Sequence, residues 1–269
     1  MLPETQKMTS VTRANGQLSY EIFGDGTKLL IAFHGFGQDR NIFLSWSQKL
    51  KSQYKILALD LFFHGSSTRN SERLSKTEWN EWLDLILEKE QINRFSVLGY
   101  SLGGRFAICT AILKSDQIDE LTLIAPDGIF LTPWYKLVTT PGLRLFLKYL
   151  LLRSDRLEQL IKINKRTKLV NAYVADFVQK EMGDEENRKR IYLSWNCFKY
   201  LGYTKKELAA TFGKAKFNRK IILGSKDYVI HPKDISPIIE NMGSFQVHIL
   251  PLKHHQLIKP EVADYLNRD

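Results

Sequence analysis

The chain has 269 residues, 43% hydrophobic, 25% charged and 12% aromatic, which suits one large globular domain or a domain carrying an insertion and excludes a disordered chain. Its two cysteines, Cys109 and Cys197, exclude a disulfide framework and a cysteine-based zinc site. The net charge of +10 is localised: residues 129–219 carry a balance of +11 and the rest of the chain −1.

Residues 1–7 lack the apolar core of a signal peptide, and the most apolar run, 145–152, is broken by Lys148. A reducing, cytoplasmic setting is therefore expected. Residues 17–23 alternate as a half-buried strand and end at the turn Gly24-Asp25-Gly26. Residues 29–33, 55–59, 95–98 and 121–124 are short apolar runs of the kind that buried parallel strands require. Between them, residues 78–89 place Trp79, Trp82, Leu83, Leu85, Ile86 and Leu87 at largely helical spacing, and 107–113 reads as a second helix. This is the alternation of an α/β fold.

The alternation stops at Ile129. Up to about Lys216 only helix-like stretches rich in Leu, Lys and Arg follow, broken by Pro133 and by Pro141-Gly142, with Asp184-Glu185-Glu186 able to open a later helix. Strands resume at 220–224 and 246–250, and the last helices are expected at 234–241 and 261–267. The sequence thus predicts a sheet domain over 1–128 and 217–269, interrupted by a helical insertion over 129–216.

The sharpest chemical signal is Gly99-Tyr100-Ser101-Leu102-Gly103-Gly104. A strand runs into it and a helix follows, so Ser101 stands in a tight turn at the C-terminal sheet edge, beside a helix N-terminus. A serine needs a base to take its proton. Of six histidines, His248 lies within a strand, while His34 and His64 precede glycines in loops and shape turns. His254 and His255 follow the last strand at the edge that carries Ser101, and one of this pair is the base. Asp227, after the strand at 220–224, is the acid that orients it, with Asp60 and Asp127 as rivals; the order Ser101…Asp227…His fits such a triad on an α/β sheet. His34-Gly35-Phe36-Gly37 follows the strand at 29–33, and the N–H groups of Phe36 and Leu102 are the expected oxyanion donors.

Together these motifs, with Asp60 followed by His64-Gly65-Ser66-Ser67, resemble the α/β-hydrolase fold superfamily in its cap-bearing branch of esterases and related hydrolases. The resemblance covers everything outside the insertion. It implies an eight-stranded, mostly parallel sheet flanked by helices, with a helical cap inserted after the sixth strand. Relatives usually carry Gly-His at the base position; the glycine is taken here to correspond to His254, which makes His255 the expected base. Phe62-Phe63 stands where relatives often have Pro-Gly.

His34, Gly35, Tyr100, Phe62 and Trp134 are the expected substrate-lining residues. Related dehalogenases and epoxide hydrolases use aspartate at the elbow, so Ser101 points to acyl transfer: hydrolysis of a carboxylic ester, without metal or cofactor. Thioesters, lysophospholipids, C–C bonds beside a ketone and a non-catalytic ligand-binding role are the alternatives. The basic insertion can snorkel its Lys and Arg over a core, contact anionic lipid or steer an anionic acyl substrate. No nucleic-acid partner is expected, since no motif accompanies the charge.

Overall fold

The structure, a computed structural model, describes residues 8–50, 52–129 and 184–267. The chain divides into two compact units, one of 1–130 and 200–269, the other of 131–199. Residues 200–216, which the sequence pattern assigns to the insertion, therefore group with the sheet.

The sheet is built from β1 (Thr9–Arg13), β2 (Gly16–Phe23), β3 (Lys28–Phe33), β4 (Tyr54–Leu59), a short β5 (Thr68–Arg69), β6 (Phe95–Tyr100), β7 (Ile118–Ile124), β8 (Asn218–Gly224) and β9 (Gln246–Leu250). Eight strands form one path, β1-β2-β4-β3-β6-β7-β8-β9, and the two-residue β5 pairs with β2. The expected eight-stranded sheet thus gains one small strand. β1, β2 and β4 pair antiparallel, and every neighbour from β4 through β3 to β9 is parallel. The continuous apolar runs explain the order: Leu30–Phe33, Ile56–Leu59 and Val97–Tyr100 are buried along their length, as inner strands of a covered sheet must be. β9, by contrast, alternates half-buried and exposed residues as an edge strand.

Among the described residues the α-helices are α1 (Leu44–Leu50), α2 (Lys76–Lys89), α3 (Leu102–Leu113), α4 (Glu185–Phe198), α5 (Lys205–Phe212) and α6 (Pro232–Ile239). Ser75 caps α2, its hydroxyl accepting from the Glu78 N–H at 3.1 Å. Asp184 caps α4 in the same way through the Asn187 N–H at 2.7 Å. α6 begins two residues earlier than the sequence suggests because Pro232 suits the first turn. The last helix, expected at 261–267, is a run of 3₁₀ turns over Pro260–Asn267. Among the described residues no helix is long and apolar enough to cross a membrane.

One aromatic cluster joins the covering helices to the sheet. The Trp79 ring of α2 meets Phe106 of α3 at 4.9 Å and Phe33 of β3 at 5.8 Å, both edge to face, and its indole N–H donates to Thr110 Oγ1 at 3.0 Å. Parallel register then aligns the strand ends: Phe33 pairs with Gly99, Tyr100 with Ile124, and Gly224 with Leu250. The segments that follow β3, β4, β6, β7, β8 and β9 consequently emerge along one edge. Trp79→Ala removes the cluster's centre and strands the Thr110 hydroxyl, so urea denaturation should show a loss of about 3–5 kcal/mol.

Candidate active site

Ser101 joins β6 to α3 with φ 50 and ψ −118, a conformation that costs a non-glycine residue roughly 1–3 kcal/mol. Three hydrogen bonds hold it there. Its N–H donates to Ile124 O at 3.0 Å, and its carbonyl accepts from Gly104 N at 2.9 Å and Asp127 N at 2.8 Å. The flanking glycines are required by space. A Cβ on Gly103 would lie 2.1 Å from Phe33 O, and one on Gly99 would lie 2.5 Å from Gly103 O. Leu102 is the first residue of α3, where a backbone N–H has no acceptor within the helix.

Opposite Ser101 the structure places His254, not His255. His254 Nε2 lies 3.0 Å from Ser101 Oγ, and Nδ1 lies 2.7 Å from Asp227 Oδ2. With a carboxylate at Nδ1, the proton sits there and Nε2 is left to accept from the serine hydroxyl. The expectation of His255 fails for a local reason. A 3₁₀ turn over His254–Gln256 starts directly after Lys253, and successive residues of such a turn point about 120° apart. With His254 facing the sheet edge, His255 is exposed. Lys253 has φ −81 and ψ 163, which any residue adopts, so no glycine is needed to mark the histidine after it.

The three aspartates at this edge are separated by their partners. Asp227 is fully buried; its Oδ1 accepts from Val229 N at 2.7 Å and Ile230 N at 3.0 Å, which leaves Oδ2 for His254. Asp127 gives both oxygens to the buried Arg105, at 2.9 and 2.8 Å. Asp60 accepts from Arg40 N at 2.8 Å, Arg40 Nη1 at 2.5 Å and Ser66 N at 2.7 Å. Neither rival reaches the histidine. Arg105 and Arg40 carry no motif, so nothing in the sequence singles either out.

The remaining expected residues divide. Phe36 and Gly35 lie in the loop after β3, shaped by Gly37 at φ 72 and by the Gly35 N–H donating to Gln38 Oε1 at 3.0 Å. His34 does not line a substrate. It is fully buried, its Nε2 accepts from the Leu61 N–H at 3.0 Å, and its Nδ1–H donates to Gly35 O at 2.7 Å, tying the loop after β3 to the loop after β4. Phe62 is likewise buried, 5.3 Å from Trp82 with the Arg69 guanidinium over its ring, and belongs to the core. Tyr100 is 3% exposed and packs on His254 instead of offering a free face. Trp134 lies outside the described residues. Among the described residues no group of three or more His, Cys, Asp or Glu side chains is placed to hold a metal.

A family model described as alpha/beta hydrolase fold matches residues 28–227. The dihydrolipoyllysine-residue acetyltransferase component of the acetoin cleaving system of Pseudomonas putida is 32% identical over 110 residues, 41% of this chain and 30% of that protein. The chain thus spans about a third of the first curated relatives it matches, 30% and 32% of their lengths. An uncharacterized hydrolase of Bacillus subtilis, YugF, is 21% identical over 256 residues, covering 90% of each chain. Among solved structures, a thermophilic esterase from Thermogutta terrifontis superposes with TM-score 0.71 at 15% identity, over 97% of this chain and 96% of that one. That likeness shows the fold.

The buried His34 makes stability depend on pH. Burial lowers its pKa from 6.5 to about 4, against a smaller raising effect of its bond to Gly35 O. The unfolded chain binds this proton below 6.5 and the folded chain only near 4. The contribution, on the order of 3 kcal/mol, is therefore complete above pH 6.5 and lost as pH falls towards 4. Urea denaturation at pH 7 and pH 5 should show a smaller drop in His34→Gln than in the parent protein; equal drops would remove His34 as the cause.

Proposed function

The chain belongs to the α/β hydrolase fold family, and we propose that it is a serine hydrolase that cleaves a carboxylic ester, or a related acyl compound, through an acyl-enzyme intermediate. One observation carries this reading: a single imidazole, that of His254, lies within hydrogen-bond reach of both a strained serine and a buried carboxylate. The names of similar proteins support the substrate class. One is a pimeloyl-[acyl-carrier protein] methyl ester esterase of Aliivibrio fischeri, 26% identical over 113 residues and matching 42% of each chain.

In this mechanism Ser101 Oγ attacks the acyl carbonyl carbon while His254 Nε2 takes the hydroxyl proton. Asp227 holds the imidazole in the Nδ1–H tautomer and stabilises the imidazolium that forms. The carbonyl oxygen becomes an oxyanion, received by the N–H groups of Phe36 and Leu102. Collapse breaks the ester C–O bond, and His254 returns its proton to the leaving alcohol. Water then attacks the acyl-serine with His254 again as base, releasing the acid and restoring Ser101. The carboxylate of Asp227 keeps its two backbone donors throughout, so it can orient the ring without itself taking the proton.

Hydrolysis of p-nitrophenyl esters with short to long acyl chains tests the reading. Ser101→Ala and His254→Ala should each lose activity by about 10⁴-fold or more, and Asp227→Asn by about 10⁴-fold with the fold intact. His255→Ala should keep most of the parent rate. A fully active His254→Ala would overturn the base assignment, and a fully active Ser101→Ala the nucleophile.

A further inference from the structure

The last residue of β6, Tyr100, touches two of the pieces the proposed chemistry needs and is bonded to the third. Its hydroxyl donates to the main-chain carbonyl of His254 at 3.1 Å. Its ring lies against the imidazole, with centroids 5.3 Å apart and planes inclined by 33°. On the loop after β3 it packs so closely that a Cβ on Gly35 would lie 2.9 Å from Tyr100 Cε1 and 3.0 Å from Cδ1. The peptide bond links it to Ser101. At 3% exposure almost none of its surface is left for a substrate.

We propose that Tyr100 is a positioning residue, which fixes the His254 imidazole and the loop carrying Phe36 relative to Ser101. His254 sits in a 3₁₀ turn after an edge strand, a part of the fold with little packing of its own. The hydroxyl bond pins that turn's backbone at the residue that matters, and the ring blocks the imidazole from rotating away. The ring centroid also lies within the roughly 6 Å at which an aromatic face attracts a cation, which favours the imidazolium as it forms. Gly35 is needed because the same ring leaves no room for a side chain there.

This inference rests on the serine hydrolase reading, and Tyr100→Phe separates the two. The variant keeps the ring and loses the hydroxyl. Ester turnover should fall about tenfold in kcat with KM unchanged, since a misplaced base slows the chemical step and not substrate binding. Labelling of Ser101 by a fluorophosphonate should slow in parallel. A full kcat in Tyr100→Phe would overturn the proposal, and so would a raised KM at full kcat, the mark of a residue that contacts substrate. Should the parent protein neither turn over esters nor take the label, the hydrolase reading falls. Positioning is then still read by NMR on histidine-labelled protein, where the low-field Nδ1–H resonance of His254 on Asp227 should broaden or vanish in Tyr100→Phe; an unchanged resonance would overturn it.

Discussion

The left-handed turn at Ser101 is the constraint to which the neighbouring residues answer. A side chain at φ 50 is unfavourable by itself, and three backbone hydrogen bonds, to Ile124, Gly104 and Asp127, hold it in place. Gly104 lies in the first turn of α3, and Ile124 and Asp127 lie at the end of β7 and just after it, so the turn forms only when β6, β7 and α3 are already together. The same tight passage brings α3 within van der Waals reach of the strand ends, where Gly99, Gly103 and Gly104 admit no Cβ. What reads in the sequence as a catalytic motif is thus first a packing requirement, and the half-buried hydroxyl facing His254 is its by-product.

Placing six strand ends along one edge also gathers carboxylates there, and buried charges demand partners. The structure gives each a different one. Arg105 neutralises Asp127, whose backbone N–H also braces Ser101, so this pair serves the turn. Arg40 neutralises Asp60 and pairs with Glu21 as well, fastening the loop after β3 to the loop after β4. Asp227 alone meets backbone N–H groups on one oxygen and a titratable ring on the other. A carboxylate held by an arginine has no call to stabilise a neighbouring imidazolium; one held by neutral dipoles keeps its charge available. Partner identity, not position along the chain, distinguishes the candidate acid from its rivals.

Strand runs and the serine turn were legible because both rest on residue type. Apolar runs bury, and glycines stand where a Cβ cannot. Legibility ended where direction depends on local backbone geometry. Nothing in Lys253-His254-His255 says which ring faces the sheet; that follows from where the 3₁₀ turn begins, a matter of one residue. The arginine partners were hidden for a related reason, since Arg105 and Asp127 are far apart in sequence and meet only once the turn has formed. His34 and Phe62, expected to line a substrate, are both fully buried, which residue type and motif position do not reveal.

Two departures from the family pattern show why residue type alone misleads. With His254 opposite Ser101, the glycine position falls on Lys253 instead of His254, and Lys253 fills it without penalty because its backbone is extended. Phe63 also stands where a glycine is common, but at φ 68, and there a side chain costs roughly 1–2 kcal/mol. The turn explains both members of the pair. His64 N donates to Leu61 O at 3.0 Å, making Phe62 and Phe63 the central residues, and a positive φ at the second of them is the type II geometry that Pro-Gly satisfies. Phe-Phe satisfies it less well, yet Phe62 buries a full ring against Trp82 and beneath Arg69. Burial of a phenylalanine is worth about 1.5–3 kcal/mol, enough to offset the strain next door. The loop that carries Asp60 and Ser66 is therefore held by the core packing of Phe62, which makes up for the backbone preference forgone at Phe63.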